Sequence, residues 1–245
     1  MKRVLMGAVV LCMVLGLSSL ALAQTGSLSL DQWFANHVWQ QDTETDSKLE
    51  ASTRLTGVKG EFNITDKIGI AGSYVFGKSE DFKDLDPKGH GELTNMGIAL
   101  RYEIVPLVKL QAGFFCGTYT LVGVVENPED EDPAAKGLVI GADVSNEYKV
   151  SGITIGAAVD MAVGDGIGIF GEAAYAPLVT AKLGKAEFKG SSMMAFEAGG
   201  KYDFGQFAVK AGYRYQGFDF KAEKDSKTSS NAAFSGFFVG GSFNF

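Results

Sequence analysis

The sequence has few of the residues that several common classes of protein depend on. It has only two cysteines and two histidines, and its formal net charge is −7. Cys12 lies in an N-terminal apolar stretch, so Cys116 alone remains beyond it, which excludes a disulfide framework. The negative charge argues against nucleic acid as a partner. No run of 18 apolar residues follows Ala23, so membrane-spanning helices are excluded as well.

The first 23 residues have the pattern of a secretory signal peptide. Lys2 and Arg3 give a positive start, an apolar stretch follows, and Ala21-Leu22-Ala23 forms a small-x-small cleavage site. The alternative is a retained anchor, because the apolar stretch is just long enough to span a bilayer. We expect residues 1–23 to be removed and residues 24–245 to fold as one domain. Without Lys2 and Arg3 the formal charge becomes −9.

Beyond the leader, apolar residues alternate with small or polar residues almost everywhere. This period of two predicts β-strands with one apolar face. The chain has 32 glycines, 18 phenylalanines and 8 tyrosines, a composition typical of closely packed β-structure with many turns. The alternating segments are roughly 9–14 residues long, about the length of a tilted strand that crosses a membrane.

Short and long connections between these segments also alternate. Short turns are predicted at residues 65–67, 104–107, 164–166 and 203–206. Long polar loops are predicted at residues 78–93, 122–151, 177–191 and 217–231. All turns would then lie on one rim and all long loops on the other, as in outer-membrane barrels.

The phase of these connections also predicts the number of strands. Nine strands fit between residues 54 and 245 when 122–151 is treated as one long connection. The apolar segment 137–144 then belongs to that connection and does not cross the membrane. An even number is expected in such barrels, and residues 31–40 supply the tenth strand, followed by a first outer loop at 41–53. The sequence therefore predicts an all-β fold, a transmembrane antiparallel up-and-down β-barrel of ten strands, with eight strands as the alternative.

The apolar face of these strands is predicted to point outwards. Very small residues on the other face suit a crowded barrel interior, whereas a lipocalin-like barrel with an apolar lumen is the alternative. Aromatic residues near the strand ends are typical of girdles at the two membrane interfaces. They are Tyr74, Phe76, Tyr102, Tyr175, Tyr202, Tyr215, Phe243 and Phe245. We assign His37, which alternates with Trp33 and Trp39, to such a girdle too.

The chain ends in FVGGSFNF, with Gly240 followed by the aromatic residues Phe243 and Phe245. This ending resembles the C-terminal assembly signal of small bacterial outer-membrane β-barrel proteins of the opacity-type or porin-like family. It departs from that pattern at Phe238, where the family prefers a polar residue. The resemblance implies a place in the bacterial outer membrane among lipid and lipopolysaccharide. It also implies that the barrel assembly machinery reads the signal during biogenesis, and it leaves the oligomeric state open.

Parity along the strands places a set of charged side chains on the inward face. Charges inside a narrow barrel must be paired or hydrated. The set is therefore either a salt-bridge core that closes the barrel or the lining of a narrow wet channel. It comprises Lys59, Glu61, Arg101, Glu103, Lys109, Asp160, Glu172, Glu197, Lys201, Lys210 and Arg214.

Two details of this charge network follow from the expected strand pairing. Pairing across the turn at 203–206 places Glu197 opposite Gly212. Lys210 and Arg214 then become its diagonal neighbours. Asp160 and Glu172 are expected on neighbouring strands with no basic residue between them.

No catalytic, cofactor-binding or metal site is predicted. The glycines of GDGIGIFG at 164–171 match G-x-G-x-x-G, but they continue a strand, whereas a dinucleotide site needs a helix there. His90 lies in a predicted outer loop without a recognisable catalytic motif. The acidic stretches 79–86 and 126–133 offer carboxylates that suit Ca²⁺ or Mg²⁺, but 81–92 departs from EF-hand spacing.

These patterns predict a non-catalytic protein of the outer membrane. The expected role is narrow, porin-like passive permeation of small solutes, or a structural role in the envelope. Surface adhesion or ligand binding through the long outer loops is the alternative. An outer-membrane enzyme is a further alternative, and it would depend on His90 or on carboxylates at the rim.

Overall fold

A computed structural model describes residues 25–42, 47–83, 89–123, 125–126, 138–139, 145–183, 186–221 and 229–245. The predicted signal peptide, 1–23, lies outside the described residues. In the part of the chain that is described, no helix is long and apolar enough to span a membrane. The strands are β1 (Gly26–Asp42), β2 (Ser47–Asn63), β3 (Ile68–Ser79), β4 (His90–Val105), β5 (Val108–Val122), β6 (Val125–Glu126), β7 (Leu138–Val139), β8 (Ser145–Gly164), β9 (Ile167–Leu183), β10 (Ala186–Asp203), β11 (Phe207–Lys221) and β12 (Ser229–Asn244).

Ten of these strands form one closed antiparallel barrel, in the order β1, β12, β11, β10, β9, β8, β5, β4, β3, β2. Pairing of β1 with β12 closes it, from Ser27 opposite Asn244 to Asp42 opposite Ser229. The short strands β6 and β7 pair only with each other, so 137–144 adds no strand to the barrel wall among the described residues. The prediction of ten strands is confirmed.

The four short turns lie where the sequence places them, on the same rim as the start of β1 and the end of β12. The backbone N–H of Gly26 donates to the carbonyl oxygen of Phe245 at 2.8 Å. Gly166 and Gly205 have φ values of 73° and 87° in two of these turns, a conformation that glycine adopts without steric cost. Short turns face the periplasm in outer-membrane barrels, so we name this rim the periplasmic rim.

At the opposite, outer end the strands are longer than predicted. The barrel strands have 12 to 20 residues, because their outer ends continue beyond the apolar segments. The predicted long loop at 177–191 is wrong: β9 runs to Leu183 and β10 starts at Ala186. The predicted loop at 41–53 is wrong for the same reason, since β2 starts at Ser47. The outward residues at these strand ends are polar, so the composition of these segments resembles that of a loop.

Outward side chains form an apolar belt around the periplasmic half of the barrel. Large apolar side chains there are strongly exposed, for example Leu100 at 55% and Phe237 at 71%. A belt about 25 Å tall is what the hydrocarbon core of an outer membrane requires. Its upper edge lies at Phe34 and Phe237, which pair across β1 and β12. The strand segments between that level and the periplasmic rim are therefore the membrane-spanning segments.

Above the belt the polarity of the two faces of the barrel wall is reversed: the outward face is polar and the inward face is apolar. Outward positions there hold exposed polar side chains such as Asn36 and Ser52. Inward positions hold a buried apolar core, named here the aromatic core. It includes Trp33, Trp39, Tyr119, Tyr148, Phe218, Phe220 and Phe234.

Candidate functional site in the barrel lumen

The lumen of the periplasmic half contains a cavity of about 560 Å³. Its lining extends from Asp203 and Asn244 at the periplasmic rim to Phe115 and Met193 beneath the aromatic core. Small residues on β3 and β4 make this room, since they keep the wall thin opposite the charged side chains. Those residues are Ala71, Ser73, Gly97 and Ala99.

Arg214 on β11 is the centre of the most buried ion-pair group. Its Nε donates to Glu197 Oε2 at 2.8 Å. Its two terminal nitrogens donate to the two carboxylate oxygens of Asp31 at 2.8 and 3.1 Å. The guanidinium also lies 4.6 Å from the centre of the Phe238 ring, within cation–π distance. All three charged side chains are buried, and Asp31 is completely so.

The network continues across the lumen from Glu197. Lys59 on β2 lies 2.7 Å from Glu197 Oε2 and 3.9 Å from Glu172 Oε2. Glu172 also contacts Arg101 at 2.9 Å and accepts a hydrogen bond from Gln111 at 3.0 Å. These contacts join strands on opposite sides of the barrel.

Glu61 holds the other side of Arg101. The Nη1 of Arg101 donates to Glu61 Oε2 at 2.6 Å, and Lys109 donates to the second oxygen of Glu61. Glu61, Glu172 and Glu197 each have two cationic side chains within 4 Å, which offsets the cost of removing these charges from bulk water.

Three carboxylates and one lysine lie nearer the periplasmic rim. Lys201 contacts Asp160 at 2.8 Å and Asp203 at 4.0 Å. Glu103 also lines the cavity, and the described residues give its carboxylate no ion pair. On the other side of the lumen, Lys210 donates to Ser29 Oγ at 3.1 Å.

All eleven charged residues of the predicted lumen network line the cavity, but two details of their pairing differ from the expectation. Glu197 pairs directly with Arg214, and Gly212 pairs with Gly199, so the expected register was two residues out. Asp160 and Glu172 both have basic partners, because Lys201 and Arg101 reach them. The pairing of neighbouring strands does not predict side-chain contacts that cross the lumen.

The sequence interpretation missed Asp31. This residue is inside β1, and its carboxylate accepts both hydrogen bonds from Arg214. A signal was present, since Asp31 has the same parity as Trp33 in the predicted strand. Because Trp33, His37 and Trp39 were assigned to an outer girdle, the face of β1 that carries Asp31 was expected to point away from the lumen.

His37, Trp33 and Trp39 are buried in the lumen, so their assignment to a girdle is wrong. The His37 ring stacks on Phe234 with centroids 4.5 Å apart, and its Nε2 lies 2.7 Å from the Tyr119 hydroxyl. His37 lies above the belt, outside the membrane-spanning segments. Burial lowers the pKa of His37 to about 3, so the ring is neutral at pH 7.

Phe82 closes the aromatic core from above. It belongs to the connection between β3 and β4, yet its side chain is buried, with its ring 5.3 Å from that of His37. Backbone hydrogen bonds hold this connection to β2: Glu80 donates to Ser52, and Lys83 donates to Glu50. The outer end of the lumen is therefore filled by side chains.

The other residues that the sequence analysis considered lie apart from this site. His90 starts β4, and its Nε2 is 3.5 Å from Glu92. Gly168 and Gly171 lie within β9, where a strand replaces the helix of a dinucleotide site. Most of the acidic stretches 79–86 and 126–133 lies outside the described residues. Within the described ranges, no group of three or more His, Cys, Asp or Glu residues forms a metal site.

A closed barrel with an apolar outer belt and a charged lumen defines a transmembrane β-barrel of the outer-membrane type. The chain is thus a barrel protein of the bacterial outer membrane, surrounded by its lipid and lipopolysaccharide. Phe243 and Phe245 face outwards at the periplasmic rim, and Gly240, which pairs with Asp31, faces inwards.

No family model and no curated protein matches the chain. Among solved structures, it is similar to the translocator domain of the autotransporter NalP from Neisseria meningitidis, with 14% identity, a TM-score of 0.41, and 99% and 97% of the two chains covered. It is similar to Ail of Yersinia pestis, crystallised with the heparin analogue sucrose octasulfate, with 13% identity, a TM-score of 0.37, and coverage of 90% and 99%. A FadL homologue of Pseudomonas aeruginosa matches with 9% identity, a TM-score of 0.37, and coverage of 91% and 90%. Similarities this distant carry no function over to the chain.

Proposed function

We propose that the protein is a narrow, normally closed passage for small solutes across the outer membrane. The observation that supports this proposal is the way in which the lumen is divided. A charged cavity of about 560 Å³ occupies the periplasmic half, and the aromatic core lies directly above it. A barrel with a purely structural role needs no cavity of this size in its membrane-spanning part.

Among the described residues, the atoms that close the lumen belong to side chains. Trp39, Phe220 and Phe234 project from the barrel wall into the lumen, and Phe82 adds one ring from a connection. Side chains change rotamer far more easily than a strand leaves a barrel. The closed state can therefore open without any change in the ten-stranded wall.

Enlarging the lumen at the aromatic core tests this function. Replacing both Phe220 and Phe234 by alanine removes two rings from the core, and we expect frequent single-channel openings in planar bilayers. The unaltered protein should be closed for most of the recording. Phe237→Ala is the matched control, because it removes the same ring from the lipid-facing side of β12.

A folded double variant that conducts no more than the Phe237→Ala control would refute the passage. Folding can be checked by the heat-dependent shift in gel mobility that is typical of intact barrels. The second candidate function, a structural role in the envelope, would then be preferred. The complete burial of the aromatic core supports that candidate.

We propose no catalytic role, and we propose that the terminal signal with Gly240, Phe243 and Phe245 is read by the barrel assembly machinery. The outward position of both phenylalanines leaves them available at the periplasmic rim. Adhesion through the outer loops stays an alternative, and most of the residues it would involve lie outside the described ranges.

A further inference from the structure

Four polar side-chain atoms in the outer half of the lumen have no hydrogen-bond partner among the described residues. They are Trp33 Nε1, Thr53 Oγ1, His37 Nδ1 and Trp39 Nε1. All four side chains are at least 97% buried. The fifth such atom in the described residues, Asn95 Oδ1, belongs to a side chain that lines the cavity below.

The residues that carry these four atoms lie on one wall, in four consecutive inward rows of the β1–β2 pair. Trp33 faces Leu55, Thr53 faces Ala35, His37 faces Ala51, and Trp39 faces Leu49. Inward rows are two residues apart, which is about 7 Å along a strand. These residues therefore follow one another in steps of about 7 Å from Trp33, one row above Asp31, towards the outer end of the barrel.

Packing alone does not account for this arrangement. A buried polar group without a partner lowers stability, and native interiors contain few of them. Apolar side chains, such as valine in place of Thr53, could fill these positions without that penalty. A polar molecule that moves along this wall would instead need a hydrogen-bonding partner at each row, and these four residues could supply one.

We propose that this row, named here the polar track, is the path by which water and small uncharged polar solutes cross the outer half of the lumen. The inference rests on the proposed passage and specifies its solute class. The track starts above Arg214, which lines the top of the cavity and pairs with Asp31, one row below Trp33. Ala35 and Ala51 on the same wall leave space beside it once the neighbouring rings rotate.

The chemistry of the track excludes ions. On β1 and β2, none of the inward side chains from the row of Trp33 to the row of Trp39 is Asp, Glu, Lys or Arg. The guanidinium of Arg214 lies at the lower end of the track, 5.4 Å from the centre of the Trp33 ring, and is already paired with Asp31 and Glu197. His37 is neutral there, as described above. An ion would lose its hydration without gaining a counter-charge, whereas an uncharged solute exchanges water for the track's donors and acceptors.

Osmotic swelling of proteoliposomes that contain the complete protein tests this inference, with glycerol as the probe. Thr53→Val keeps the shape but removes the hydroxyl. We expect this change to slow glycerol entry by about fivefold, the effect of one lost hydrogen bond. Ser191→Ala is the matched control: it removes a fully buried hydroxyl of β10, on another wall, and should leave the rate unchanged.

Lactate, an anion of similar size, should enter at least about tenfold more slowly than glycerol, because its charge must be desolvated. Equal entry of lactate and glycerol would overturn the assignment of the solute class. Unchanged glycerol entry in Thr53→Val, with clear entry through the unaltered protein, would overturn the track and leave the passage intact. No entry through the unaltered protein and no conductance in the Phe220→Ala/Phe234→Ala variant would overturn both.

Discussion

Replacing Arg214 by glutamine is expected to lower the free energy of unfolding by about 3–5 kcal/mol, the usual cost of breaking a buried ion pair from one side. Asp31 accepts two hydrogen bonds from this guanidinium and has no exposed side-chain surface. Without Arg214 the carboxylate keeps only Lys210, which lies 3.9 Å away and beyond hydrogen-bond distance. It must then stay charged with this weaker partner or take up a proton, and both alternatives cost free energy. Glu197 is affected less, because Lys59 still lies 2.7 Å from it.

The loss is measured by urea unfolding of the protein in lipid vesicles, followed by tryptophan fluorescence. The double variant Asp31→Asn/Arg214→Gln should recover more than half of it, since no buried carboxylate then lacks its partner. Lys48→Gln is the surface control. It breaks an ion pair with Glu50 whose side chains are 56% and 36% exposed, and it should cause no measurable loss. An Arg214→Gln variant as stable as the Lys48→Gln control would show that the network does not stabilise the barrel.

Arginine in place of Leu100 is expected to cost about 2–4 kcal/mol, the range known for a cation near the bilayer midplane on the lipid face of a barrel. Leu100 lies in the middle of the outward face of β4, between Tyr102 at the periplasmic rim and Met96 near the upper edge of the belt. Its side chain is half exposed, and in the membrane that exposure is to acyl chains.

Asn36→Arg is the matched control for this position. Asn36 is also outward and exposed, but it lies two residues above Phe34, where the wall has left the belt. We expect a change close to zero when both variants are unfolded from the same vesicles. Similar losses at the two positions would mean that the belt does not end at Phe34 and Phe237.

Much of the fold was predictable because a barrel wall repeats one simple pattern. Alternation with a period of two gave the strands, and the alternation of short turns with long connections gave their number. The ends of the strands were not predictable, since a polar outward face above the membrane has the composition of a loop. For that reason residues 177–191 were expected to form a loop but belong to β9 and β10.

The candidate site was predictable only in its charged half. Lys, Arg, Glu and Asp on the small-residue face point inwards wherever the outer face is apolar. Aromatic residues are ambiguous, because they lie outside in the belt and inside above it. Trp33, His37 and Trp39 were therefore assigned to a girdle, and the aromatic core was missed. Local alternation carries no information about the level at which the membrane ends.

The measurement that tests the account most directly is thiol labelling at two inward positions, in protein whose Cys116 is replaced by serine. Ser73→Cys places a thiol in the cavity, and Ala232→Cys places one beside the aromatic core. With a small hydrophilic thiol reagent and the protein in vesicles, we predict rapid labelling at residue 73 and almost none at residue 232. Equal rates at the two positions, or protection of residue 73, would contradict a wet periplasmic half beneath a closed outer half.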